Sequence, residues 1–168
     1  MSIWANSPRA ALVLLLAFAS SAQAGGRVDV VFVDQKRFTD AGWPDAERGE
    51  VLGQLAAHIQ ALGARYLAEG QTLSVEVLDV DLAGQAKPWQ SRGAPVRILR
   101  GKADWPRMDL RYTLLEDGKP VSAGRESIAD LAYLDRVGQA RMSVPLAYER
   151  RMLDDWFRGR FVEGRAAR

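Results

Sequence analysis

The run at residues 72–82, TLSVEVLDVDL, constrains this chain more than any other segment. It is rich in aliphatic and β-branched residues, alternates polar with apolar, and ends at two aspartates, Asp79 and Asp81. Such a run reads as the spine of a sheet, and the rest of the chain has to pack around it. Its pattern changes midway. Leu73, Val75 and Val77 share one face, with Ser74 and Glu76 opposite. From Leu78 the parity reverses, so that Leu78, Val80 and Leu82 take the second face while Asp79 and Asp81 continue the first. Either a bulge flips the pleat or the strand runs out of a covered region, and both place Asp79 and Asp81 at a sheet rim.

Two segments precede this strand. Residues 28–33 (VDVVFV) are almost uniformly apolar, which suggests an inner strand covered on both faces. Residues 44–69 read as one long helix. Pro44 suits a first helical position, and Asp45, Glu47 and Glu50 put negative charge where the helix dipole favours it. Leu52, Leu55, Ile59, Leu62 and Tyr66 recur at three-four spacing as an apolar stripe. Glycine inside a helix costs about 1 kcal/mol against alanine. Gly49 and Gly53, with Ala56, Ala57 and Ala64, predict a smooth side that lets a sheet or second helix come close.

After a long loop holding Trp89, residues 96–100 (VRILR) read as a short strand. In 107–116 (RMDLRYTLLE), Met108, Leu110, Tyr112 and Leu114 alternate with Arg107, Asp109, Arg111 and Thr113, the pattern of a half-buried antiparallel strand. Asp117-Gly118 is a hairpin turn that sets Glu116 opposite Lys119 and Leu114 opposite Val121, with the returning strand reaching about Asp130. Ser143 caps a last helix from Val144 to Phe161, its apolar side made by Leu146, Met152, Leu153, Trp156, Phe157 and Phe161. The expected architecture is a single α+β domain of order β-α-β-β-β-β-α. A mainly antiparallel sheet of four to five strands packs two helices on one face.

The first 24 residues stand apart. One positive charge at Arg9 precedes the apolar run AALVLLLAFA, and Ala22-Gln23-Ala24 is a small-residue cleavage site. This three-part layout is that of a secretory signal peptide, and its apolar run is too short for a spanning helix. The expectation is cleavage after Ala24, leaving 144 of the 168 residues as one domain with a frayed tail. No other run is long and apolar enough to cross a membrane. The chain has no cysteine, which excludes a lipid-modified cysteine, a thiol nucleophile and thiolate metal sites. The leader holds one of the 23 basic residues and none of the 21 acids, so the remainder is nearly neutral and gives no support for nucleic-acid binding. These features predict a soluble periplasmic protein.

Chemistry has few places to sit. Asp79 and Asp81, two apart on a strand, face the same side about 7 Å apart along the chain. Two oxygens at a rim could help hold a hard cation, but such a site needs six or more, and no glycine-turn acidic loop supplies them. The alternative is a charge ladder, with Arg97, Arg107 and Arg111 on neighbouring strands as the counter-charges. His58, the single histidine, sits at the border of the long helix's stripe, a place for packing its ring rather than for catalysis. No phosphate loop, dinucleotide fingerprint, nucleophile elbow or H-E-x-x-H is present. Trp43, Trp89 and Trp105 each adjoin a proline at an element junction. Trp43 and Trp105 fit as plugs of the core's end, while Trp89, alone in a long polar loop, fits equally as a plug or as an exposed anchor. Arginines crowd the last stretch but alternate with acids, as on a solvated helix face.

The segments VDVVFVD…FTDAG, YLAEGQTLSVEVLDVDLAGQ, VRILRGKADWPRMDLRYTL and LAYERRMLDDWF together resemble a bacterial family of exported proteins, catalogued as domain of unknown function number 3016. The resemblance spans about Val28 to Phe157. It implies export and a single domain, and it brings no activity, ligand or catalytic residue. The functional expectation is therefore a non-catalytic periplasmic binding or interaction module, with a ligand or partner rim at Asp79, Asp81, Trp89, Arg97 and Arg111. Its partner is an envelope protein or a small ligand, with no cofactor or metal assigned. The alternatives are a carboxylate- or metal-dependent hydrolase centred on Asp79 and Asp81, and a peripheral envelope protein using its basic C-terminal end.

Overall fold

The computed structural model describes residues 25–42, 44–87, 96–136 and 144–164. The elements are β1 (Arg27–Phe32), a 3-10 turn (Gln35–Arg37), α1 (Asp45–Tyr66), β2 (Gln71–Asp81), β3 (Gln85–Lys87), β4 (Val96–Ile98), β5 (Arg107–Glu116), β6 (Lys119–Ala129), α2 (Tyr133–Arg136) and α3 (Ala147–Phe157). A π-type turn, Arg158–Glu163, extends α3. The leader, Trp43, the Trp89 loop and Ser143 lie outside the described residues.

The class is α+β as expected, but the sheet is mixed. Its order is β1-β2-β5-β6, with β1 parallel to β2 and the other two pairings antiparallel. The parallel pair follows from α1, which supplies the crossover that two parallel neighbours require. β1 is therefore an edge strand rather than an inner one. Val28 is buried toward α1, while Val31 on its other face is 53% exposed. The VRILR segment also differs from expectation. It contributes only β4, which pairs with β3 in a separate two-stranded ribbon.

The core lies between one sheet face and the two long helices. Leu52, Leu55, Ile59 and Leu62 of α1 and Met152, Leu153, Trp156 and Phe157 of α3 cover Leu73, Val75, Val77, Leu110 and Tyr112. Most of each predicted stripe is thus buried, while Tyr66 and Leu146 are only partly so, and the last helix starts at Ala147 rather than Val144, leaving Leu146 just before it. α1 stops at Tyr66, because Leu67 turns to an extended conformation and buries its side chain. The small-residue side does not match expectation. Gly49 and Gly53 have no atoms within 4 Å of where a Cβ would stand, whereas a Cβ on Gly63 would overlap the Cγ2 methyl of Val28. The close approach of helix to strand is made at Gly63.

The β5–β6 hairpin turns at Asp117-Gly118, both with positive φ (50° and 77°), as a tight hairpin demands. Glu116 faces Lys119 as predicted, but a register shift follows, and Leu114 faces Ser122 instead of Val121. The shift leaves Val121 42% exposed. It also puts Gly124 opposite Tyr112, where an added Cβ would stand 3.0 Å from the ring. The Tyr112 ring, in turn, meets Trp156 and Phe161 edge-on.

Candidate functional site

The parity change in β2 is resolved by a bulge. The β2–β5 register shifts between Val77 and Asp79. The extra residue, Leu78, lets Val80 and Leu82 stay buried while Asp79 and Asp81 join Glu76 on the polar face. Cross-strand pairing then sets the counter-charges. Asp81 is opposite Arg107, and Glu76 is opposite Arg111. The Nη2 of Arg107 lies between the aspartates, 3.6 Å from Asp79 Oδ2 and 3.9 Å from Asp81 Oδ2. Arg111 is one step too far along and pairs with Glu76 at 3.1 Å. The ladder exists, but only Arg107 of the three expected arginines serves the two aspartates.

Asp79 has a structural task. Its Oδ1 accepts the Thr39 backbone N–H and its Oδ2 the Thr39 hydroxyl, both at 2.7 Å. This ties the loop after β1 to the bulged end of β2. The Asp40 N–H donates to Val80 O at 2.8 Å and the Leu82 N–H to Asp40 O at 3.0 Å, extending the parallel pairing by one bridge, Asp40 to Asp81.

Arg97 sits on the β3–β4 ribbon, not beside β5, and it staples the chain where β2 ends. Its Nη2 donates to Asp40 Oδ2 at 2.6 Å and to Gly84 O at 2.8 Å, and its Nε to Ala83 O at 2.9 Å. The same segment is held from beneath by Glu149, which accepts the Ala83 N–H at 2.8 Å. Glu149 is buried in the first turn of α3, and burial pushes its carboxyl pKa up despite that hydrogen bond and the nearby Arg97. Beyond the ribbon, Asp104 accepts the Arg100 N–H and the Tyr133 hydroxyl, the latter at 2.7 Å. Burial and this hydrogen bond lift the Tyr133 phenol to about 12.

These contacts bring Asp40, Asp81 and Asp104 around one cleft of about 370 Å³, whose walls also hold Thr39, Leu82, Gln85, Ala86 and Arg100. Asp81 is the least restrained of the three, since its sole ion pair among the described residues is the long contact to Arg107. Burial raises its pKa. Arg107 opposes that shift, and Asp40 and Asp79 reinforce it. The cleft can accept hydrogen bonds and positive charge. Among the described residues, no group of three or more carboxylate or histidine side chains is arranged to hold a metal ion.

Of the rim expected from sequence, Asp79 and Asp81 come together, Arg97 supports the wall through Asp40, Arg111 stands apart, and Trp89 lies outside the described residues. Three contributors were missed. Asp40 and Asp104 lie in connecting segments with no periodic signal. Glu149 did leave one, being three, four and seven residues before the buried Met152, Leu153 and Trp156. His58 does find a carboxylate, with its Nε2 2.8 Å from Asp154 Oδ1 and 3.2 Å from Arg150 O. Both contacts dock α1 on α3. In the basic C-terminal stretch, Arg158 pairs with Asp155 at 2.8 Å and Arg160 with Glu126 at 2.6 Å. Among the described residues no helix is long and apolar enough to cross a membrane.

A family model described as protein of unknown function (DUF3016) matches residues 26–159, and the chain belongs to that family. No curated protein matches it. Among solved structures, a minor lipoprotein from Acinetobacter baumannii is similar at 11% identity over 86% of this chain and 94% of that one, with a TM-score of 0.27. A likeness that weak carries no argument about fold or function.

Proposed function

We propose that this member of the DUF3016 family is an exported, non-catalytic binding module that engages an envelope protein or a small ligand at the Asp81 cleft. The observation that carries this reading is the restraint on the cleft's walls. Asp40 is held by Arg97, and Asp104 by Tyr133 and the Arg100 N–H, while Asp81 is left with one long ion pair. A pre-formed concave surface with an acceptor to spare favours a ligand that brings donors or positive charge. Catalysis by Asp79 is disfavoured because both its oxygens are taken up by Thr39. The signal-peptide layout of residues 1–24 supports export.

Photoreactive residues placed at Gln85 and at Ala103 test the reading in whole cells. The expected result is one shared, specific adduct that disappears with Asp81→Arg. No specific adduct at either position overturns it. Export is tested on the same cells, where the mature chain in the periplasmic fraction should begin at Gly25. Calorimetry with Ca²⁺, Mg²⁺, Mn²⁺ and Zn²⁺ addresses the metal-dependent alternative, for which no Asp81-dependent heat is expected.

A further inference from the structure

We propose that a second cleft, between the end of β6, the turn at 130–132 and α3, binds a small organic cation: a protonated amine carried on an apolar stem. It encloses about 500 Å³ and shares no lining residue with the Asp81 cleft. That is within the usual range for small-molecule sites, about 300–1,000 Å³.

Asp130 gives the cleft its chemistry. The residue is only 7% exposed. Its Oδ1 accepts the Ala132 N–H at 3.1 Å, while its Oδ2 is buried and has no hydrogen-bond partner. Buried carboxylate oxygens are nearly always given a donor, so an orphan oxygen beside a cavity points to a donor that arrives from outside. No lysine or arginine among the described residues pairs with Asp130, and the local complement is therefore a cation. The remaining walls call for hydrocarbon. Ile128, Met152 and Trp156 are buried in them, and Leu131 stands beside them 65% exposed. The indole N–H of Trp156 donates to Glu126 at 3.0 Å, which fixes the ring in the wall. Asp155 adds a second acidic group to the lining and is bridged by Arg158 at 2.8 Å. A hard metal ion does not suit these walls, since they are too apolar to supply six oxygens.

Calorimetry on the whole protein tests the site with hexylammonium as probe and hexanol and hexanoate as neutral and anionic controls. Hexylammonium should bind with a Kd below about 1 mM and both controls at least tenfold more weakly. Asp130→Asn keeps the acceptor for the Ala132 N–H and nearly the same shape, so it should fold normally and lose at least tenfold in hexylammonium affinity. Ala132→Phe, which fills the cleft from a different position, should abolish binding. The proposal is overturned if hexylammonium does not bind the wild type, if it binds Asp130→Asn as tightly, or if hexanol binds equally well. Loss of the crosslinks at the Asp81 cleft would leave these outcomes unaffected.

Discussion

The packing of α1 on β1 predicts opposite outcomes for one chemical change made twice in one helix. At Gly53 nothing lies within 4 Å of where an added methyl would stand, so Gly53→Ala should collect only the helix-propensity gain, about 0.5–1 kcal/mol. At Gly63 the same methyl would overlap Val28 Cγ2 and stand 3.2 Å from Val28 Cβ. Val28 has little room to yield. It is buried, β-branched and therefore stiff at χ1, and its backbone is paired with Leu73 of β2. Overpacking of this kind costs about 3 kcal/mol at the upper end of its usual range. Subtracting the propensity gain of about 1 kcal/mol leaves Gly63→Ala destabilised by roughly 2 kcal/mol. For a domain of this size that lowers the thermal midpoint by roughly 8 °C, while Gly53→Ala raises it by roughly 2–4 °C. Circular dichroism melts and urea titrations read both. Val28→Ala should relieve the overlap, so the double variant should be more stable than the sum of the single losses by about 1–2 kcal/mol. A Gly63→Ala protein that melts at or above the wild type would refute the reasoning, as would additive losses with Val28→Ala.

Three further outcomes are expected. Because burial raises the Glu149 pKa, the folded state holds a proton that the unfolded chain releases above its ordinary value of 4.5, so stability is lost as pH rises through that window. Glu149→Gln should thus gain on the wild type from mildly acid to neutral pH, and urea midpoints showing the wild type gaining instead would contradict this. Tyr133→Phe strips Asp104 and the Gly101 N–H of a partner and should cost about 1–3 kcal/mol. Ultraviolet titration should place one wild-type tyrosine at about 12 and find it missing from that variant. Thr39→Val keeps the backbone bond to Asp79 but loses the hydroxyl bond, and a urea titration should read a loss of about 1–2 kcal/mol.

The two clefts make different demands on the chain. The Asp81 cleft is built from loop ends held by charged side chains, and its walls persist only while Arg97 keeps Asp40 and the carbonyls of Leu82, Ala83 and Gly84 together. The Asp130 cleft sits against the helical side of the core, where Met152 and Trp156 are buried and the Trp156 ring is held by aromatic packing. Variants at one should leave the other intact, because additivity holds for sites that share no partners.

Local pattern alone determined the class, the buried stripes of α1 and α3, the alternation in β5 and the turn at Asp117-Gly118. Each of these depends on residues within a few positions of one another, where side-chain period and turn chemistry act directly. The reversal of parity at Leu78 was also legible, although its meaning as a bulge was not, since a bulge is defined by the partner strand. The tertiary structure decided everything that needs two distant segments. β1 is as apolar as an inner strand, yet it pairs at an edge and parallel, because α1 carries the chain across before β2 begins. Asp81 meets Asp40 and Asp104 only when the loop after β1 and the turn before β5 close on the same strand end. Arg97 had the right charge for a ladder on β2 but sits on a ribbon of its own, and Glu149, although its spacing puts it on the buried side of α3, meets its partner, the Ala83 N–H, only once α3 packs beneath the end of β2. Side-chain period fixes which face a residue takes, and strand pairing and loop closure fix whom it meets there.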